Sequence, residues 1–508
     1  MMTMLLNGFG TVLGNPALLL AMFGGVFIGI IFGALPGLTT VACLSMFLPV
    51  TYVMTNEMGL SMLTAIYIGG MSGGLVSAIL LNIPGTPSSI ATCFDGVPMA
   101  KKGQAGRALG IGVFASIIGN FIGVLAMIFI SSPLASLTLK FGPWENFGVT
   151  VFALTLIASL CGKNIFTGLL SAVAGMMMST VGLDRIDSSK RFTFGMIELT
   201  SGFALLTVLV GMYAVSEVFR NASSDRERAT VNEDFKMRGF GMTGREIVNQ
   251  GPNIVRSSLI GLSIGILPGI GGSTANIIAY SVAKSSSRYP DKFGTGIPDG
   301  ICASEAANNA SIGGAMIPLL TLGIPGDGST AILLGGFMLH GMTPGPLLFK
   351  TNGATVYAIF ASMLVSTVLM GLIMLLCMKW FVKILKIPSY ILIPCIIVLC
   401  SIGAYTLNYR TFDIWALLFF GLLGLGFSSV QVPLPPFILG FILGGNFEVN
   451  LRTGIQYAAS DKFMILRRPL AMIFLVLAVF FFVYSIIKTV RQNKKEGEKT
   501  NDENTDCN

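Results

Sequence analysis

Four short segments carry the residues of this chain best suited to holding a charged solute, and they form two pairs about 230 to 240 residues apart. Leu35-Pro36-Gly37-Leu38-Thr39-Thr40 returns as Leu267-Pro268-Gly269-Ile270-Gly271-Gly272, followed by Ser273 and Thr274. Ile83-Pro84-Gly85-Thr86-Pro87-Ser88-Ser89 returns as Ile324-Pro325-Gly326-Asp327-Gly328-Ser329-Thr330. Proline removes a backbone donor and glycine unwinds readily, so each Pro-Gly pair interrupts a helix. Where the helix resumes, its first turn offers free N–H groups and the positive end of its dipole. The small hydroxylated residues at these points add donors. Four such ends converging would form a cradle for a carboxylate. The expected anion-binding set is therefore Pro36, Gly37, Thr39, Thr40, Gly85, Thr86, Ser88, Ser89, Gly271, Gly272, Ser273, Thr274, Gly326, Ser329 and Thr330. The competing reading is plain N-capping by Ser and Thr.

No Lys or Arg lies within the four motif cores. Charge on a bound anion would then be balanced by helix dipoles and by a co-bound cation. Candidate cation ligands are Asn82, Asn276, Glu305, Asn308, Asn309 and Asp327, together with carbonyls freed at the breaks. Sodium suits unwound carbonyls and protons suit intramembrane carboxylates, so Na+ or H+ is the expected coupling ion. No other metal and no organic cofactor is expected. Asp327 is the one acid inside the motif cores, whereas Asp95 opens a basic loop and is expected at the surface.

The elements that position these residues must lie in a bilayer. Of 508 residues 53% are hydrophobic and 11% charged, with mean hydropathy +0.78. A soluble domain carries roughly 25% charged residues. Apolar stretches of spanning length, about 20 residues, run almost end to end. An all-α polytopic membrane protein of roughly a dozen spans is expected, and no hydrophilic stretch is long enough for a soluble catalytic domain. The net charge of +8 sits in short loops, which fits positive-inside bias rather than nucleic-acid binding. The cysteines form no Cys-x-x-Cys pair, so neither a zinc site nor a disulfide framework is suggested. The first residues, Met1 to Pro16, lack the basic start of a secretory signal. The glycine ladders Gly25, Gly29, Gly33 and Gly69, Gly70, Gly73, Gly74 are expected to serve close helix packing.

Two halves are expected: a first membrane repeat over 1–219, a cytoplasmic linker over 220–250 and a second repeat over 251–446. A C-terminal loop and span over 447–490 and a charged, disordered tail over 491–508 follow. Loop charge relates the halves. Thr51 to Gly59, after the first Leu-Pro-Gly, has no Lys or Arg, while the loop after its copy carries Lys284, Arg288 and Lys292. The second motif does the reverse: Lys101, Lys102 and Arg107 follow its first copy, and only Lys350 lies between Met338 and Gly353. Equivalent loops thus face opposite sides, the mark of an inverted repeat. Arg185, Lys190 and Arg191 on a loop assigned to the outside run against this.

The ladder Gly25 to Gly37, its partial copy at Gly261 to Gly271, both Ile-Pro-Gly segments and Glu305-Ala-Ala-Asn308-Asn309-Ala resemble TctA, the large membrane subunit of the tripartite tricarboxylate transporters. The resemblance spans about residues 15 to 450. It implies ion-coupled uptake of citrate-like or other carboxylates across the bacterial cytoplasmic (inner) membrane. It also implies two partners, a small TctB-like membrane subunit and a periplasmic, TctC-like solute-binding protein. The second copy departs from the pattern, with Ser257 opposite Gly25 and Gly271-Gly272 opposite Thr39-Thr40, so the two sites are not expected to be strictly equivalent.

Two other classes are weighed against transport. Gly70-Met71-Ser72-Gly73 matches the Gly-x-Ser-Gly of rhomboid-type intramembrane serine proteases, with His340 as the base such a serine requires. A passive anion channel is the third reading. No phosphate-binding loop is present, so ATP hydrolysis by that route is not expected.

Overall fold

The computed structural model describes residues 1–36, 38–160, 165–222, 242–269, 271–384, 389–458 and 464–505. Gly37, Ile270 and most of the expected linker lie outside them. In chain order the helices are α1 (Met2–Leu13), α2 (Pro16–Ala34), α3 (Thr40–Phe47), α4 (Asn56–Leu81), α5 (Ile90–Met99), α6 (Ala105–Thr138), α7 (Pro143–Leu160) and α8 (Ile165–Ser179). A two-stranded antiparallel hairpin follows, β1 (Gly182–Leu183) with β2 (Lys190–Arg191). Then come α9 (Leu205–Val210), α10 (Ser216–Ala222), α11 (Gly244–Ile266), α12 (Gly271–Ser285), α13 (Pro298–Leu322), α14 (Gly328–Leu339) and α15 (Leu348–Thr351). The last are α16 (Gly353–Ile384), α17 (Ser389–Asn408), α18 (Thr411–Ser429), α19 (Leu434–Tyr457) and α20 (Pro469–Thr505).

Among the described residues seven helices are long and apolar enough to cross a membrane, so the protein is an all-α, multi-pass membrane protein. Apolar pieces too short to cross alone include Thr40–Val53 and Gly328–Leu339. Burial does not follow hydropathy. The spanning window of α4 has mean hydropathy 1.6 and is 94% buried, whereas that of α20 has 2.9 and is 17% buried. Lipid-facing helices must be apolar, while interior ones can carry polar side chains that other helices satisfy.

The chain forms two compact units, residues 1–139 with 205–425, and residues 140–204 with 426–508. The first holds all four motifs. Its interior is built on α4 and α13, whose residues are buried almost throughout. Helix α2 lies along α4 because glycines on both permit backbone contact: a β-carbon on Gly25 would sit 2.7 Å from the Met62 carbonyl oxygen, and one on Gly33 would collide with that of Gly70. Helix α11 lies along α13 in the same way, Gly261 over Ala307 and Gly265 over Ser311. The glycine ladders are therefore packing surfaces.

The break after α2 meets the second motif, with Gly85 wedged between the Gly33 carbonyl and the Cα of Gly74. The break after α11 repeats this, Gly326 lying against Ala315 and the Gly265 carbonyl, while the Gly269 amide donates to the Gly326 carbonyl at 2.8 Å. Thus α2, α3, α4 and the Ile83–Ser89 segment correspond to α11, α12, α13 and the Ile324–Thr330 segment. The correspondence is a physical one, seen in the contacts and not in sequence spacing alone.

The second unit contains α7, α8, the hairpin, α19 and α20. Close packing again uses glycine, Gly175 against Phe437 and Gly440 against Ala172. The hairpin is fixed to α19 by charge. Arg191 pairs with Glu448 at 2.8 Å and with Asp184, and Arg452 reaches Asp184 at 2.9 Å and Asp187 at 3.2 Å. Amides of Asp187 and Ile186 hold the Asp184 carboxyl below the usual carboxylate range, helped by Arg191 and Arg452. The Ser189 hydroxyl and amide do the same for Asp187, joined by Arg452.

Candidate functional site

The motifs converge at the middle of α4 and α13. Thr39 caps α3, its hydroxyl accepting from the Ala42 amide at 3.1 Å, and Thr40 then packs on Gly70, where a β-carbon would lie 2.6 Å from the threonine hydroxyl. At the start of α12, a β-carbon on Gly272 would meet the methyl of Met71 at 2.8 Å, Oδ1 of Asn308 at 2.8 Å and the Ser311 hydroxyl at 2.9 Å. The first turns of α3 and α12 therefore arrive at successive residues of α4, Gly70 and Met71. The Asn308 amide donates to the Met71 carbonyl at 3.1 Å, and the Ser72 hydroxyl donates to Oδ1 of Asn309 at 2.7 Å. Ser88 contacts the Met71 sulfur at 3.6 Å.

Polar capacity is left over here. Oδ1 of Asn308, the Thr40 hydroxyl and the Ser77 hydroxyl beside Gly85 are buried without a partner among the described residues. Buried polar groups are normally satisfied, and an exception calls for a reason. Two of the three lie where the helix starts meet α4 and α13.

Other predicted residues are spent on structure. Thr86 and Ser89 form a capping box, and the Ser89 hydroxyl donates to the Thr86 carbonyl at 2.9 Å. Asp327 caps α14, Oδ1 accepting from the Thr330 amide at 2.8 Å, while the Asp327 amide donates to the Thr330 hydroxyl at 2.8 Å. The other Asp327 oxygen accepts from the hydroxyl of Tyr67 at 2.6 Å, which ties α4 to the second copy of the motif. Asn276 bridges in both directions, donating to the Ser88 carbonyl and accepting from the Ala91 amide at 3.3 Å. Asn309 donates to the Glu305 carbonyl at 3.0 Å. Ser329 is buried, Ser273 half-buried and Thr274 exposed. Asn82 is exposed, ends α4 in the left-handed conformation and lines a separate cavity of about 380 Å³ with Pro84, Cys93 and Phe94. It is not brought together with the other candidate cation ligands.

Glu305 is completely buried, its oxygens accepting from Thr92 at 2.5 Å and Ser116 at 3.1 Å. Tyr67, Met71, Thr92 and Ser116 are thus parts of the site that motif reading missed. A lone tyrosine in an apolar helix was a usable signal for the first. The other three have no sequence mark. The placing of Asp95 at the surface is corrected: it is buried and accepts from the amides of Gly294, Gly296 and Ile297 and from Tyr280. A carboxylate that satisfies three loop amides is a structural clamp, whatever the basic residues beside it in sequence.

The loops assort by end. Lys102 donates to the Thr295 carbonyl at 2.7 Å and Arg107 pairs with Glu246, so the basic loop of the first half meets the basic loop of the second and the start of α11. At the other end His340 lies 3.3 Å from the Thr51 hydroxyl and Thr355 donates to Glu57 at 3.0 Å, joining the two loops poor in charge. A β-carbon on Gly59 would collide with the His340 ring. Ser72 lies thirteen residues further along α4, about 20 Å at 1.5 Å per residue. The pairing of Ser72 with His340 as nucleophile and base is therefore not formed.

A polytopic helical membrane protein with paired broken helices around a buried polar crossing has the architecture expected of a membrane transporter. The family is given by comparison: residues 19–439 match the model of the Tripartite tricarboxylate transporter TctA family, and the chain belongs to that family of transporter subunits. In Agrobacterium vitis, the "Uncharacterized 52.8 kDa protein in TAR-I ttuC' 3'region" is 36% identical over 492 residues, 96% of each chain. The "Uncharacterized protein in TAR-II ttuC' 3'region" of the same organism is 35% identical over 236 residues, 46% of this chain and 98% of that protein. No solved structure matches the chain.

Proposed function

We propose that this chain is the large membrane subunit of a tripartite uptake system that carries citrate-like tri- or dicarboxylates across the bacterial inner membrane, driven by a Na+ or H+ gradient. The carrying observation is the crossing of α4 and α13. There the starts of α3 and α12 reach Gly70 and Met71, and Thr40 and Asn308 keep unspent polar groups. Helix starts supply positive potential without a fixed cation, which lets a carboxylate bind and leave. The Asn308 amide, swung from the Met71 carbonyl, supplies a further donor, while Thr86, Ser89 and Thr330 hold the motif geometry through their caps. Family membership supports the small membrane subunit and the periplasmic solute-binding protein as partners.

The test is uptake of labelled citrate in a bacterial host that lacks its own tricarboxylate carriers. Uptake should require this chain, the small subunit and the binding protein together, and should collapse when the ion gradients are dissipated. Uptake that persists without a gradient would favour the passive channel.

A further inference from the structure

We infer that Glu305 is the site where a proton is taken up and released in each transport cycle, a reading that rests on the transport function proposed above. The carboxyl sits about two turns into α13 with no exposure to solvent. Thr92 of α5 donates to Oε1 at 2.5 Å, Ser116 of α6 donates to Oε2 at 3.1 Å, and Asn308, one turn along α13, is a further polar neighbour. None of these carries charge. The titratable and charged groups on the elements packed around it are Cys93 and Asp95 on α5, Arg107 on α6, and Arg245, Glu246 and Arg256 on α11. Tyr280 and Lys284 on α12, Glu57 and Tyr67 on α4, Asp327 before α14, and Asp299 and Cys302 on α13 itself complete the set. Among the described residues no cation pairs with Glu305: Arg107 is bound to Glu246 and Arg256 to the side chain of Asn253.

A buried carboxylate without a counter-charge is costly, and protonation removes the cost. Hydroxyls rotate to donate or accept, so Thr92 and Ser116 satisfy the ionised and the protonated forms alike. That is what a carrier of protons needs and what a fixed structural acid does not. The surroundings link the proton to solute. Thr92 belongs to the helix that continues from the Ser88-Ser89 break, and its chain neighbour Cys93 lines the cavity beside that break. Asn308 touches Met71 and lies beside Gly272, where α12 starts. Movement of either break relative to α13 alters the shell of the carboxyl. The corresponding position in the first half is Thr64, since Ile66 lies under Gly29 as Ala307 lies under Gly261. Its hydroxyl bonds back to its own helix, at 3.0 Å to Leu60 and 3.1 Å to Ser61. The position that the repeat pairs with Glu305 therefore carries no carboxyl.

The test uses the purified transporter complex in liposomes. Infrared difference spectra between acid and alkaline pH should show a carboxylic-acid C=O band that is lost in Glu305→Gln and shifts its midpoint in Thr92→Val. Glu305→Gln should lose accumulation driven by a pH gradient, and Thr92→Val should displace the pH dependence of that accumulation together with the infrared midpoint. A Glu305→Gln protein that accumulates solute on a pH gradient as the native one does, or that keeps the titrating band, overturns the proposal. If Glu305→Gln does not fold, an unmoved midpoint in Thr92→Val overturns it instead. Should the native complex move no carboxylate at all, the transport reading falls, and the infrared band still decides whether Glu305 titrates.

Discussion

At the scale of single residues, the fold brings the doubled motifs together, and many of their side chains are spent on caps. Thr40, Gly272 and Asn308 come together at Gly70 and Met71, whereas Thr39, Thr86, Ser89, Asp327 and Thr330 are engaged in caps. Spacing alone cannot separate a hydroxyl that caps from one that binds, because both sit at a helix start. The structure separates them, and two opposite outcomes follow. Thr330→Ala removes cap hydrogen bonds and should lower stability by about 1 kcal/mol, read as an earlier melt with carboxylate affinity retained. Asn308→Ala removes a group at the crossing and should weaken carboxylate binding by roughly ten-fold, the effect of a hydrogen bond to a charged partner. Binding and melting measured on the same purified variants check both. An Asn308→Ala protein with native affinity would move the site away from the crossing.

At the scale of elements, the helix breaks and the glycine faces were legible because Pro-Gly pairs and glycine periodicity have one strong physical reading each. The partners of those faces were not, since a glycine ladder does not say what lies against it. The contact of Gly85 with the Gly33 carbonyl is the clearest case. Gly85→Ala forces a β-carbon onto backbone that cannot rotate away, and overpacking of this kind costs about 1–3 kcal/mol. A lower melting temperature and poorer yield of folded protein are expected, with no comparable loss in Gly10→Ala, where space is open. In the second unit, Asp184 and Asp187 have carboxyls held below their ordinary values. A group depressed on folding contributes stability that is full above its unfolded pKa, about 3.9 for Asp, and is lost as pH falls through the folded value. Protection from hydrogen exchange over residues 182–191, taken relative to the intrinsic rate at each pH, should therefore be full near neutrality and fall in acid below about pH 4. Protection that does not change down to that range would show that the carboxylates do not hold the hairpin.

At the scale of the whole molecule, composition made the membrane class plain and loop charge pointed to inversion. The contacts within the first unit extend this: Lys102 with Thr295 at one end and His340 with Thr51 at the other pair each loop with the non-equivalent loop of the other half. Single cysteines at Thr55 and Gly294, in a background without native thiols, should be labelled by an impermeant reagent from opposite sides of the membrane. The substrate was not legible, because selectivity among carboxylates lies in cavity shape rather than in any motif. The central claim is that this chain moves carboxylate by coupling it to an ion gradient. Its most direct test is citrate uptake into liposomes holding the purified membrane subunits, with the binding protein outside and a Na+ or H+ gradient imposed. Accumulation above the external concentration that disappears when the gradient is collapsed is the predicted result. Equilibration to equal concentrations, indifferent to either gradient, would contradict the account.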